Sequence, residues 1–200
     1  MLVIDEQGMV VDKRVTASRS VHIEHAAMST VRGLIVHQTG APTAQSSLDS
    51  YKHAGANGAH FLIDTDGTIH QTASVYRQTW HVGKLRARCM LEGTCTPAEK
   101  KLNQKFSPSQ ENTREMAKTV PARYPSNQDS VGIELVGGTH LSDPKNPKSV
   151  VYDTVTAKQN ESLHWLVTEL AEALKFSLTE VFRHPTVSRK TESEASTATW

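Results

Sequence analysis

A histidine, a cation and a carboxylate lie within nine residues near the end of the chain. His184 opens the segment His-Pro-Thr-Val-Ser-Arg-Lys-Thr-Glu, which contains Lys190 and ends at Glu192. Pro185 disfavours helical backbone at the residue before it, and the Thr, Val and Ser that follow favour an extended loop over a helix. A loop can fold back so that residues eight positions apart reach one ion, which a straight helix face does not allow. Catalytic zinc takes three protein ligands of these types, so the segment predicts two of them, with a solvated polar tail as the alternative.

A further candidate ligand comes at the end of a short apolar strand far upstream. Leu34, Ile35 and Val36 are branched and apolar, and the polar residues after His37 are typical of a turn. A histidine at the end of a core strand is held rigidly, which suits a metal ligand, although such histidines are often purely structural.

Two more segments combine strand patterns with polar residues. Residues 58–71 predict a hairpin, because two apolar runs flank Thr65-Asp66-Gly67-Thr68 and Asp-Gly is a strong turn signal. Residues 127–137 predict another apolar strand, interrupted by the carboxylate of Glu134. Such a carboxylate is costly unless it is paired or faces a polar cavity, and a solvent-facing position is the alternative. The segment Trp80-His81-Val82-Gly83 lies between the hairpin and this strand.

In this order, the segments resemble the zinc-dependent N-acetylmuramoyl-L-alanine amidases of the type 2 amidase and peptidoglycan-recognition-protein superfamily. The resemblance covers residues 31 to 192 apart from a long middle insertion. It rests on the strand with His37, the Ala-His-Phe-Leu-Ile-Asp hairpin, Trp80-His81-x-Gly83, the Asn-x-x-Ser-Val-Gly-Ile-Glu strand and the segment from His184 to Glu192. The fold that it implies is a single α/β domain, with a central mixed β-sheet flanked by helices and a zinc site at one edge of the sheet.

The resemblance also implies a role for each of these residues. Zinc would be held by His37, His184 and Glu192, and would activate a water for hydrolysis of the amide between N-acetylmuramic acid and L-alanine. Glu134 would act as general base, and Lys190 would stabilise the oxyanion. The residues assigned to substrate binding are Trp80, His81, Asn127 and His60.

The chain departs from the family pattern around the third ligand and the hairpin. The family usually has Asp or Cys two residues after the lysine, whereas this chain has Glu192. The Pro-Gly that follows in the family is replaced by Ser193-Glu194, which makes Glu194 a conceivable substitute ligand. Some members carry a catalytic tyrosine immediately before the hairpin histidine, where this chain has Ala59.

Composition and periodicity fit one globular domain with two recognisable helices. The 200 residues are 37% hydrophobic and 22% charged, which is ordinary for a globular protein. Apolar residues at helical spacing predict a long helix over 156–176, whose role is to pack on the sheet. A shorter helix is predicted over 44–54, with Thr43 as its cap.

The predicted domain organisation has an arm, a main domain and one insertion. Residues 1–30 form the N-terminal arm, and residues 31–200 form the amidase domain, with a long polar insertion at about 84–129. The insertion contains Cys89 and Cys95, which could close a small disulfide loop in an oxidising compartment or remain two free thiols in a reducing one.

Charge and hydropathy argue against several kinds of partner. The 22 basic and 21 acidic residues give a net charge of +1, so nothing in the balance calls for nucleic acid or an anionic membrane. No run approaches the length of apolar sequence that spans a bilayer. The first residues also lack the basic and apolar regions of a Sec-type signal.

These features leave two sites of action to consider for an amidase. One hypothesis is delivery to the periplasm by a specialised route, as for antibacterial toxins of the type VI secretion system or phage lysins, with an immunity protein or a secretion-system component as partner. The other is a cytoplasmic enzyme that recycles anhydro-muropeptides. A non-catalytic peptidoglycan-binding module is disfavoured, because such superfamily members lack the third ligand. A zinc phosphoesterase is disfavoured because the motifs offer no two-metal site.

Overall fold

A six-stranded mixed sheet lies at the centre of the computed structural model, which describes residues 2–200. The strands in chain order are β1 (Val15–Ala17), β2 (Gly33–Gln38), β3 (Phe61–Ile63), β4 (Ile69–Gln71), β5 (Ser130–Leu135), β6 (Thr139–Leu141), β7 (Val150–Tyr152) and β8 (Val181–Arg183). The order across the sheet is β1-β4-β3-β5-β2-β8, and β6 and β7 form a separate hairpin. Among these described strands, only the β3–β4 pair of the large sheet is antiparallel, as the predicted hairpin requires.

The two central strands are buried on both faces, which explains their nearly continuous apolar sequence. In β2, Leu34 and Val36 face the main core, where helix α5 (Ala157–Leu174) packs through its apolar stripe. Ile35 faces the opposite side of the sheet, in a smaller apolar cluster. Because side chains alternate along a strand, His37, two positions after Ile35, also lies on that second side.

Both predicted helices are present, and four further helices were not predicted. Those within residues 2–200 are α1 (Ala44–Ser50), α2 (Arg88–Glu92), α3 (Pro97–Asn103), α4 (Pro108–Met116), α5 and α6 (His184–Val187). Thr43 caps α1 and Thr156 caps α5 through their side chains, as those positions predict, although α1 ends earlier than residue 54. The prediction of an extended loop at His184 is wrong. Pro185 occupies the first turn of α6, where the missing N–H costs no hydrogen bond.

Part of the N-terminal region, strand β1, joins the main sheet. β1 pairs in parallel with β4, and the side chains of Leu2, Ile23 and Met28 are buried. The predicted arm began at Met1, which lies outside the described residues. The remaining features of the predicted fold, a mixed sheet flanked by helices in one α/β domain, are confirmed.

The polar insertion folds into α2, α3 and α4 and is tied to the loop after α6. Cys89 and Cys95 form the disulfide that was one of the two alternatives. Glu111 in α4 forms an ion pair with Arg189, and the ring of Phe106 lies 5.4 Å from the Arg189 guanidinium. The insertion therefore supports the backbone immediately before Lys190. None of the helices within residues 2–200 has the length and apolar character that crossing a membrane requires.

Candidate metal centre and active-site cavity

Strand pairing places two of the predicted functional residues side by side. β2 and β5 run in parallel, and His37 is directly opposite Glu134 in their register. Both residues lie on the side of the sheet away from α5, since Val36 and Ile133 point into the main core. His184 joins them because β8 is the next strand beside β2, and α6 begins immediately after β8.

His37, His184 and Glu194 form a possible metal site at the sheet. The two Nδ1 atoms of the histidines are 2.8 Å apart, and Oε1 of Glu194 lies 2.9 Å from His184 Nδ1 and 3.5 Å from His37 Nδ1. Ligand atoms around a tetrahedral zinc are about 3.3 Å from one another at the usual bond lengths, so these separations fit one ion. Two imidazoles and a carboxylate are also a donor set that catalytic zinc accepts.

The predicted third ligand, Glu192, does not reach this cluster. Its side chain is 85% exposed, and its nearest cation is the guanidinium of Arg86 at 4.0 Å. The cause is a turn in which the Glu194 amide donates to the carbonyl of Thr191, which leaves Glu192 on the outside of the turn and returns Glu194 to the imidazoles. The carboxylate that lies beside the imidazoles is therefore that of Glu194, the residue that the sequence offered as a substitute, and not that of Glu192.

Burial and mutual contact set the protonation states of the cluster. Burial lowers the pKa of His37 to about 4, and neighbouring His184 acts in the same direction, so the ring is neutral near pH 7. Burial acts to raise the pKa of Glu194, but hydrogen bonds from His184 and His37 outweigh it and hold the pKa at about 2. Neutral imidazoles and an ionised carboxylate are the forms that bind metal.

The pKa of Glu134 is raised, whereas that of Glu194 is lowered. The side chain of Glu134 is partly buried with Oε2 shielded from solvent, and burial raises its pKa to about 8, assisted by the charge of Glu194 and opposed by that of Lys190. Oε2 of Glu134 has no hydrogen-bond partner among the described residues. A buried carboxyl with a raised pKa and a free oxygen beside a cluster of metal-binding side chains is typical of a catalytic acid or base.

A cavity of about 480 Å³ opens over this cluster. Glu134 and Lys190 both line it, together with the candidate metal ligands. Trp80 lies at its rim, 50% exposed, with one ring face stacked on His25 at 3.7 Å between centroids. The insertion helices contribute no lining residue to this cavity among the described residues, and Glu111 of α4 contacts the loop before Lys190 through Arg189.

The other residues predicted to bind substrate are engaged with the protein itself. His60 is fully buried, and its ring nitrogens contact the Arg77 carbonyl at 2.8 Å and the Gly132 amide at 3.0 Å. Asn127 accepts hydrogen bonds from the amides of His81 and Val82 and donates to the Val82 carbonyl, so it holds the loop after Trp80.

His81 lines the cavity but has no ring nitrogen left for a ligand. Its Nδ1 lies 2.9 Å from His37 Nε2, and its Nε2 lies 3.4 Å from the Ser130 carbonyl and 3.3 Å from Ser130 Oγ. Burial lowers the pKa of His81 well below its ordinary value, and His37, His60 and His184 act in the same direction.

Two tyrosines in the cavity were not among the predicted site residues. Tyr51, at the end of α1, is buried, and burial raises its pKa, with the charge of Glu134 contributing. Tyr152, at the end of β7, also lines the cavity, and burial raises its pKa as well, with contributions from Glu194 and Glu134. Both phenols are therefore protonated donors near the carboxylates. Nothing in their local sequence marks them, because α1 and the β6–β7 hairpin bring them to the cavity from outside the motifs.

Comparison with known proteins gives one family match and several similar folds. A family model described as N-acetylmuramoyl-L-alanine amidase matches residues 27–195. The structure of an AmpD selenomethionine derivative is 17% identical, with a TM-score of 0.58, over 99% of this chain and 95% of that one. AmpDh3 from Pseudomonas aeruginosa, in complex with anhydromuramic pentapeptide, is 17% identical, with a TM-score of 0.55, over 96% of this chain and 61% of that one.

A third solved structure, that of a mutant of PlyL, is 12% identical, with a TM-score of 0.53, over 88% of this chain and 85% of that one. The comparison with curated proteins gives no match. At these identities the solved structures show a shared fold, whereas the family match spans both histidines of the possible metal site, Glu134 and Glu194.

Proposed function

Because the chain belongs to the N-acetylmuramoyl-L-alanine amidase family, type 2, we propose that it is a zinc enzyme that hydrolyses the amide between N-acetylmuramic acid and L-alanine. The zinc would be held by His37, His184 and Glu194. The observation that carries this proposal is the position of Glu134, paired in register with His37 and lining the same cavity as the ligand cluster. Zinc, when bound there, supplies an acidified water and polarises the scissile carbonyl.

Glu134 performs the proton transfers in this proposal. Its carboxylate accepts a proton from the attacking water as the oxygen adds to the carbonyl carbon. The same carboxyl then donates that proton to the nitrogen of L-alanine as the C–N bond breaks, which leaves a carboxylic acid on the lactyl group and a free amine on the peptide. A base with a pKa near the working pH suits both steps, and the raised pKa of Glu134 supports this role.

Lys190 and the cavity wall stabilise and orient the reacting groups. Lys190 lines the cavity, and its ammonium would hydrogen-bond the oxyanion that forms when water adds to the amide. Trp80 presents its free ring face at the rim, where an aromatic surface can pack against a sugar ring. The ion pair between Arg189 and Glu111 helps to hold Lys190 in place.

The ligand assignment is tested by the same substitution, glutamate to alanine, at two positions of one turn. Glu194→Ala removes a buried donor of the cluster and should lose bound zinc and hydrolysis together. Glu192→Ala removes an exposed carboxylate two residues earlier and should keep both. Zinc content after dialysis and release of L-alanyl peptides from purified peptidoglycan measure the two properties. Full zinc content in Glu194→Ala, or loss of zinc in Glu192→Ala, would contradict the assignment.

The catalytic role of Glu134 is separable from metal binding. Glu134→Gln keeps the size of the side chain and removes the base, so turnover should fall by about 10²–10⁴-fold while zinc stays bound. A non-catalytic peptidoglycan-binding module is the competing function. It would show full binding to peptidoglycan in wild type and in Glu134→Gln, with no product from either.

The site of action that we propose is cell-wall peptidoglycan in an oxidising compartment, reached by a specialised delivery route. The Cys89–Cys95 disulfide supports this, because such bonds persist in the periplasm and outside the cell rather than in the reducing cytosol. An antibacterial effector or lysin of this kind, made by a bacterium that it could harm, would need a protective immunity partner. The competing role is recycling of soluble anhydro-muropeptides in the cytoplasm.

Expression in a bacterial host distinguishes these roles. Fusion to a periplasmic export signal should cause lysis, and expression in the cytoplasm should not. Glu134→Gln with the same signal is the control and should be harmless. Absence of lysis with the exported protein, together with turnover of soluble anhydro-muropeptides alone, would support recycling and reject the effector role.

A further inference from the structure

The loop after Trp80 contains a partly buried imidazole, that of His81, whose role is not explained by substrate contact. We infer that His81 is a positioning residue that fixes the tautomer of His37, so that His37 presents the lone pair of Nδ1 to the metal site. This inference rests on the proposed zinc site. It assigns His81 to the support of one ligand, in place of the substrate contact that the sequence suggested.

Hydrogen bonds connect Ser130, His81 and His37 in that order, and the groups of Ser130 determine where the protons on the two rings lie. The Ser130 carbonyl can only accept a hydrogen bond, and Ser130 Oγ gives its own proton to the Ser126 carbonyl at 2.6 Å. Both atoms facing His81 Nε2 are therefore acceptors, so Nε2 carries the proton of that ring. His81 Nδ1 then has a lone pair and accepts from His37 Nε2–H at 2.9 Å.

The same logic sets the metal-facing atom of His37. A neutral imidazole carries one N–H, and the one on His37 is used by His81. Nδ1 of His37 is left without a hydrogen, and this is the atom that lies 2.8 Å from His184 Nδ1 and 3.5 Å from Glu194. A ligand whose tautomer is already correct needs no rearrangement when metal binds, and such outer contacts typically change metal affinity about 10–100-fold.

The sequence keeps the His81 ring in this position by two independent means. A Cβ at Gly132 would lie 2.7 Å from His81 Nδ1 and 2.8 Å from Cγ, so only glycine in β5 lets the ring lie flat on the strand. Asn127 holds the backbone of the same loop by three hydrogen bonds. His184 has no comparable support, because its Nε2 is buried without a partner among the described residues.

Three variants test this role by zinc affinity. His81→Phe keeps a flat ring over Gly132 and removes the acceptor, so the Kd for zinc should rise about 10–100-fold. His81→Asn restores an acceptor oxygen close to the Nδ1 position and should recover most of the affinity. His60→Phe is the control, since His60 is a buried neighbour that does not contact His37, and it should lower the melting temperature without changing the Kd. Competition with a chromophoric chelator measures each Kd.

A second measurement needs no metal. Long-range ¹H–¹⁵N correlation spectra of the metal-free protein report which ring nitrogen carries hydrogen, and both His37 and His81 should be protonated at Nε2. An unchanged zinc Kd in His81→Phe, or hydrogen at Nδ1 of His37 in the wild-type spectrum, overturns the inference. These results are separate from the test of the zinc site itself, in which wild type and Glu194→Ala are compared.

Discussion

The raised pKa of Glu134 predicts that this residue destabilises the metal-free fold as the pH rises. Below its ordinary pKa of 4.5 the carboxyl is protonated in both the folded and the unfolded chain, so it has no effect on stability. Between that value and about 8 the folded protein keeps a proton that the unfolded chain has released. The free energy of unfolding must therefore fall with pH across this window.

The size of the effect follows from the same two values. One pKa unit corresponds to about 1.4 kcal/mol, and integration between about pH 5 and pH 8 gives a loss on the order of 3 kcal/mol. Glu134→Gln cannot titrate, so the variant should gain stability relative to wild type by roughly this amount over the same range. Urea denaturation of both proteins at about pH 5, 6.5 and 8 measures it. A chelator is kept in every sample, because a bound cation would itself lower the pKa of Glu134.

The matched control is Glu192→Gln, which makes the same chemical change at an exposed carboxylate. Its unfolding free energy should follow that of wild type at all three pH values. Other groups that titrate in this range are present in every protein compared, so they cancel to first order. Parallel profiles for wild type and Glu134→Gln would refute the reasoning that burial holds a proton on Glu134.

Three further predictions concern the supports of the site. Gly132→Ala should push the His81 ring off β5 and cost about 1–3 kcal/mol, measured by thermal unfolding. Asn127→Ala removes three hydrogen bonds from the loop after Trp80, so hydrogen exchange of the two amides that it binds should accelerate while zinc remains bound. Replacing Cys89 and Cys95 by serine should cost roughly 2 kcal/mol, and added reductant should then no longer change the denaturation midpoint.

Local sequence was sufficient for the strands that carry the site and for their main helix. β2 and β5 were predictable because buried parallel strands have nearly continuous apolar sequence. His37 and Glu134 stood out because they are polar residues beside those apolar runs. The long helix α5 was predictable because its apolar spacing and its Thr156 cap agree. His37, Glu134 and His184 therefore came together in the structure as expected.

Which glutamate lies beside the two histidines was not predictable, because two carboxylates stand in one turn. Glu192 and Glu194 are two residues apart, and which of them faces the imidazoles depends on the hydrogen bond that closes the turn at Thr191. That bond is a property of the backbone and has no signature in the sequence around it.

The surroundings of the loop histidines were not predictable for a related reason. A buried imidazole can bind a ligand or satisfy nearby backbone groups, and the choice depends on long-range neighbours. For His60 these are the Arg77 carbonyl and the Gly132 amide, 17 and 72 residues away in sequence. Asn127 likewise holds a loop that is 45 residues upstream. Such pairings arise from the packing of the finished fold.

The wide separation of the candidate ligands along the chain has a consequence for biosynthesis. His37 and His184 are 147 residues apart, and Glu194 follows ten residues later. A nascent chain therefore has the first donor long before the others, and its donor set is incomplete until synthesis has passed Glu194. β8 must also pair with β2 before His184 can reach His37. The candidate metal site can therefore form only after both distant segments have been made and β8 has paired with β2.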